Sequence, residues 1–167
     1  MSKLVMMCGV PGSGKSHFTR EYKSKVGKHV YVVSSDQIRE LILGTPQDFS
    51  EDKLCWNIFY DLAKTYSIDS KGTVILDATN LTSYLRTVKT KKLKQLFDYR
   101  CLVVFDLDKE VIKKQNLNRK WPVPESVLER MFLKYEEPGD MDKEYFNDIF
   151  IVKDHNIENV VLDIIKK

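Results

Sequence analysis

The stretch that most restricts the fold is Gly9-Val10-Pro11-Gly12-Ser13-Gly14-Lys15-Ser16. An apolar run, Leu4 to Cys8, leads into it, and a helix-compatible segment, Ser16 to about Val26, leads away. The octapeptide fits G-x-x-x-x-G-K-[ST] without a mismatch. Its glycines let successive backbone N–H groups converge on one anion, and the helix adds its positive N-terminal end. Lys15 then reaches the β- and γ-phosphates of a nucleotide, and the Ser16 hydroxyl can ligate Mg²⁺. With a strand before it and a helix after it, the turn is expected to hold a nucleoside triphosphate through Gly9, Pro11, Gly12, Ser13, Gly14, Lys15 and Ser16. His17, beside the magnesium serine, reads as a helix-start residue near the phosphates rather than as a catalytic histidine.

Short β-branched runs alternate with helical segments along the rest of the chain, the pattern of a parallel α/β sheet. Val30 to Val33 reads as a second strand, ending in Ser34-Ser35-Asp36, with a helix running to Leu43 and broken at Gly44-Thr45-Pro46. Ser50 is placed as the N-cap of a helix that buries Leu54/Cys55, Ile58/Phe59, Leu62 and Tyr66. Thr73 to Leu76 is a third strand, closed by Asp77-Ala78-Thr79-Asn80. A basic helix from about Thr82 to Phe97 precedes a fourth strand, Cys101 to Phe105. Asp108 caps a helix to about Asn118, and Pro122-Val123-Pro124 opens another. Ile149 to Val152 is a last strand, and Asn156 caps the final helix. The expectation is one domain over 1–167: a nucleotide-kinase-like, P-loop NTPase-type parallel sheet of about five strands flanked by helices.

Composition excludes several classes. With 43% hydrophobic and 31% charged residues the chain is neither disordered nor collagenous. No apolar stretch approaches the ~20 residues of a membrane helix, and the residues before the glycine turn are too few for a secretion signal. Three cysteines, Cys8, Cys55 and Cys101, form no Cys-x-x-Cys pair. They suit reduced, buried thiols in a cytoplasmic protein. A net charge of +3 does not by itself announce a nucleic-acid binder, although a local patch would suffice.

Ligands of parallel sheets gather at the carboxyl ends of the strands, where Asp36 and Asp77 both fall. Phosphoryl transfer to a hydroxyl needs a base near that hydroxyl and positive charge around the moving phosphate. Asp36 can supply the base, and Asp77 can support magnesium or a metal-bound water. Arg39, one helical turn beyond Asp36, can bind an acceptor phosphate. Lys113, Lys114, Arg119 and Lys120 mark a helical lid over roughly 113–124, with Arg119 the candidate for transition-state charge stabilisation. The run Arg86, Lys89, Lys91, Lys92, Lys94 reads chiefly as a wet helix face. Lys89 and Lys92 nevertheless fall within the arc of Leu85, Val88 and Leu96, where they would snorkel.

Taken together, Gly9 to Ser16, Ser34-Ser35-Asp36-Gln37-Ile38-Arg39, Asp77-Ala78-Thr79-Asn80 and Gln115-Asn116-Leu117-Asn118-Arg119 resemble the P-loop polynucleotide 5′-hydroxyl kinases. The likeness is nearest to the kinase module of bacterial polynucleotide kinase-phosphatases and spans almost the whole chain. It implies an ATP- and Mg²⁺-dependent phosphotransferase acting on 5′-hydroxyl ends of RNA or DNA, in particular single-stranded ends. By that resemblance Lys15 and Ser16 hold the ATP phosphates and Mg²⁺, and Asp36 is the general base. Arg39 contacts the neighbouring acceptor phosphate, and Arg119 is the lid arginine on the donor phosphates. Gln115 replaces the first arginine of the family's R-N-x-N-R, and His17 stands where threonine is usual. The sequence carries no phosphatase or ligase segment, so repair partners of that kind would be separate chains. Two other readings stay open: a P-loop kinase for a sugar, nucleoside or antibiotic hydroxyl, and a nucleotide-binding switch protein without acceptor chemistry.

Overall fold

The computed structural model describes residues 1–167. Strands β1 (Lys3–Cys8), β2 (Val30–Ser34), β3 (Thr73–Asp77), β4 (Tyr99–Phe105) and β5 (Asp148–Val152) form one sheet in the order β2-β3-β1-β4-β5. Every pairing is parallel. Crossover helices therefore cover both faces. The central strand shows why: Leu4, Met6 and Cys8 point into one core, and Val5 and Met7 into the other.

On the first face lie α2 (Ser35–Leu43), α3 (Asp52–Tyr66) and α4 (Ser83–Leu93), contributing Ile38, Cys55, Phe59, Ala63 and Leu93 to the core. On the second lie α1 (Lys15–Val26) and α8 (Ile157–Ile165), contributing Phe18, Tyr22, Val160, Val161 and Ile164. The Lys3 ammonium donates to the Ile164 and Ile165 carbonyls, satisfying the end of α8 and tying it to β1. A third, smaller core joins Val10 of the glycine loop to Leu81 and to α5 (Lys109–Leu117) and α6 (Glu125–Lys134) through Ile112 and Leu128. The three cysteines are free and buried. No helix is long and apolar enough to cross a membrane.

Several local expectations need correction. Ser50 does not cap α3; Glu51 holds that position, while the Ser50 amide donates to Asp48 Oδ1 in a tight turn. Leu54 is 46% exposed, because Cys55, Phe59 and Ala63, spaced four apart, occupy the inward stripe and leave it one position off. The basic segment divides into α4 and a 3-10 turn, Lys94–Leu96. Its inward side is Arg86, Lys89, Thr90 and Leu93, whereas Leu85 and Leu96 face out. Asn156 starts α8 but its side chain turns back to Lys153 N and Ile151 O. A short helix, α7 (Asp140–Tyr145), gave no sequence signal; no apolar period marks it, and a long-range ion pair holds it in place.

That pair is Arg86 with Asp142. Both are wholly buried, and Nε and Nη2 of Arg86 reach the two carboxylate oxygens at 2.7 and 3.0 Å. Arg86 Nη1 donates to the Asn80 and Leu81 carbonyls, and Asp142 also accepts from Ser83 Oγ and Gly139 N. Burial works to raise the Asp142 pKa, but these donors outweigh it and hold the carboxyl below its ordinary value. Arg86 thus fastens α7 and α4 to the segment that follows β3.

Candidate functional site

The glycine loop leaves the carboxyl end of β1, the middle strand, and turns into α1 at Lys15. Gly12 and Gly14 adopt φ of 84° and 98°, in the left-handed region open to glycine. Gly12 also lies against α5: a Cβ there would come within 2.8 Å of the Ile112 carbonyl oxygen and 2.9 Å of Asn116 N. Close approach of α5 to the loop is thus written into that residue. Ser13 Oγ is buried in the loop with no partner. Lys15 Nζ donates to the Gly9 and Val10 carbonyls at 2.8 and 2.9 Å. Burial lowers its pKa, opposed by the Asp77 carboxylate and reinforced by Arg119.

The neighbouring strand ends supply the acids. Asp77 is the last residue of β3, paired in register with Ser34 at the end of β2. Burial raises its pKa, with Lys15 opposing. One residue into α2 comes Asp36, and the helix is capped by the Ser34 hydroxyl accepting from Gln37 N. Asp36 is thereby freed from capping. Its two oxygens face one arginine each: Oδ1 is 3.7 Å from Arg39 Nη1 and Oδ2 is 3.5 Å from Arg119 Nη2. Arg119 Nη1 is buried without a partner. Lys15, Asp36, Arg39, Asp77 and Arg119 are thus gathered at the carboxyl ends of the strands, while Ser16 and His17 open α1, both exposed.

The 113–124 segment, expected as a lid, is held by several hydrogen bonds. The Asn116 side chain spans the Val123 backbone, donating to its carbonyl at 2.8 Å and accepting its N–H at 3.0 Å. Lys120 and Trp121 donate to Glu40 of α2, and Gln47 donates to the Pro122 carbonyl. Gln115 lines an open cleft of about 460 Å³ with Gly14, His17, Arg20, Leu107 and the β5–α8 residues Asp154 and His155. The departures at positions 115 and 17 therefore meet on one side of the loop.

The stretch after β3 closes the other side. Thr79 O accepts from Gly9 N, and Asn80, at φ 48°, donates to the Met7 carbonyl at 2.7 Å. Asn80 Oδ1 in turn accepts from Lys89 Nζ at 2.6 Å. Lys89, expected to snorkel from the apolar arc of a largely wet helix, is buried to its end, with its ammonium 4.0 Å from the Trp56 ring centre. Burial, then the nearby Arg39, push its pKa down from 10.5 to about 8. Between those values the unfolded chain holds a proton that the folded protein has released, so stability rises with pH. Denaturant unfolding from pH 7.5 to 10.5 should show the wild type gaining up to about 3 kcal/mol relative to Lys89→Met. Parallel curves would mean an ordinary lysine.

Phe49, Asp52 and Trp56, which surround Arg39, escape sequence reasoning, and Lys89 is singled out by it without being placed there. The only available signal was Asp52 and Trp56 four apart on α3, one helical turn.

The AAA domain family matches residues 4–138. The chain belongs to that family. Among curated relatives, protein Kti12 of Schizosaccharomyces pombe is 22% identical over 151 residues, 84% of this chain and 53% of that protein. L-seryl-tRNA(Sec) kinase of Methanococcus maripaludis is 24% identical over 143 residues, 81% of this chain and 53% of that enzyme. The chain spans about half the length of these relatives. Among solved structures, Chaetomium thermophilum Kti12 in complex with ADP-AlF3 has a TM-score of 0.72 at 20% identity, covering 98% of this chain and 97% of that one. A fungal RNA kinase has a TM-score of 0.69 at 15% identity, covering all of this chain and 45% of that one. The fold of this AAA domain member is the five-stranded parallel P-loop kinase type expected from the sequence.

Proposed function

We propose that the protein is an ATP-dependent kinase that transfers the γ-phosphate to a 5′-hydroxyl end of RNA or DNA. The observation that carries the kinase reading is the Asp36 carboxylate set between Arg39 and Arg119, beside the loop lysine. The loop residues Gly9, Pro11, Gly12, Ser13 and Gly14 suit triphosphate oxygens, the unpartnered Ser13 hydroxyl included. Ser16 and Asp77 offer the hard oxygen donors that Mg²⁺ takes, and the ion would neutralise charge on the phosphates.

Asp36 accepts the proton of the acceptor hydroxyl as its oxygen bonds to the γ-phosphorus; the bond to the β-bridging oxygen breaks and ADP leaves. Arg119 and Lys15 balance the charge spread over the moving group. The polynucleotide acceptor is favoured by the Asp36 and Arg39 spacing shared with the 5′-hydroxyl kinases, and by two relatives whose names place RNA among their substrates. Incubation with γ-labelled ATP, Mg²⁺, 5′-hydroxyl DNA and RNA oligonucleotides, and a panel of sugars and nucleosides tests the proposal. Label on oligonucleotide ends is the expected result. Label only on a small acceptor would keep the chemistry and replace the substrate, and bound ATP with no transfer would favour a binding protein.

A further inference from the structure

Arg39 is buried to 5% exposure, with two aromatic rings over it as well as two carboxylates beside it. Its guanidinium carbon lies 4.5 Å from the centre of the Phe49 ring and 5.7 Å from that of Trp56. Asp52 accepts from Arg39 Nη2 at 2.6 Å and from Trp56 Nε1 at 3.0 Å, so one carboxylate fixes the guanidinium and the indole together. Arg39 Nε is buried with no hydrogen-bond partner. Behind Trp56, Lys89 has the neutral Asn80 oxygen as its hydrogen-bonding partner and no carboxylate within ion-pair distance. Asp52 pairs with Arg39, and Asp36 is shared between Arg39 and Arg119.

Phe49 is the element without a structural account. One of its faces lies on Arg39, yet the ring is 61% exposed. A flat apolar ring lying beside a guanidinium and open to water is an arrangement on which nucleobases stack. Sugar acceptors, in contrast, are gripped through carboxylate and amide groups, and here both nearby carboxylates, Asp36 and Asp52, are engaged with arginine. We infer that Phe49 is a base-stacking platform beside the acceptor site, its open face carrying the base of the terminal nucleotide while its other face rests on Arg39. Asp52 is a positioning residue, holding Arg39 flat between the rings. This inference rests on the polynucleotide reading.

The test compares two 5′-hydroxyl oligonucleotides that differ in one respect, a base or an abasic tetrahydrofuran at the terminal residue. Acceptor KM is measured for both with the wild type, Phe49→Ala and Phe49→Trp. The wild type should show a KM about tenfold lower for the base-bearing end. Phe49→Ala should bring the ratio close to one, and Phe49→Trp should restore it. A wild-type ratio of one, or an unchanged ratio in Phe49→Ala, overturns the platform while the oligonucleotide kinase stands. Labelling of a small acceptor and of no oligonucleotide overturns both.

Discussion

Asp36→Asn is expected to lower turnover by about 10²- to 10⁴-fold, the range that a positioned general base supplies. The change is isosteric. It leaves Ser34 capping α2 through Gln37 N, so the helix should stay intact. It also leaves the loop and Lys15 untouched, so the dissociation constant for ATP should change little. What it removes is the acceptor for the hydroxyl proton and the anion between Arg39 and Arg119. Single-turnover labelling with saturating ATP separates these effects, because chemistry is then measured apart from product release. A variant that keeps more than a tenth of the wild-type rate would take the base role away from Asp36.

The largest stability effect should come from a residue with no part in the proposed chemistry. Asp142→Ala leaves the Arg86 guanidinium buried with no counter-ion, a situation that costs about 3–5 kcal/mol. Ser83 Oγ and Gly139 N lose their acceptor as well. Urea unfolding at neutral pH is the direct measure. The double variant Arg86→Met with Asp142→Leu should recover much of the loss, since a well-packed apolar pair of similar volume often matches a buried ion pair. If Asp142→Ala shifted the midpoint by less than about 1 kcal/mol, the pair would be only a marginal contributor.

How much of this was readable beforehand depends on the range of the interactions. The loop from Gly9 to Ser16 was legible because its conformation is local, set by glycines at Gly12 and Gly14 and by the strand and helix that flank it. The strands were legible to within two residues because burial on both faces forces apolar runs. Asp36 and Arg39 were legible as neighbours, three apart on one helix. Arg86 and Lys89 were misplaced because their burial depends on Asp142, 56 residues away, and on an asparagine in a left-handed turn. The apolar arc set Lys89 apart from Lys91 but took in Lys92 equally, which is exposed, and it gave no sign of Arg86. The aromatic surroundings of Arg39 were hidden for the same reason, since Phe49 and Trp56 reach it from a loop and a different helix.

The ties between lid and sheet have a further consequence. Glu40 receives Lys120 and Trp121, and it stands one turn beyond Asp36 on the same helix. Gln47, in the loop that carries Phe49, holds Pro122 from the other side. The 113–124 segment and the surroundings of Asp36 and Phe49 are therefore joined at two points. In the proposed kinase, release of ADP would loosen the hold on the product, and an acceptor that tightens α2 would draw the 113–124 segment inward. Order of arrival and order of departure would then be linked through Glu40 and Gln47, residues outside the proposed chemistry.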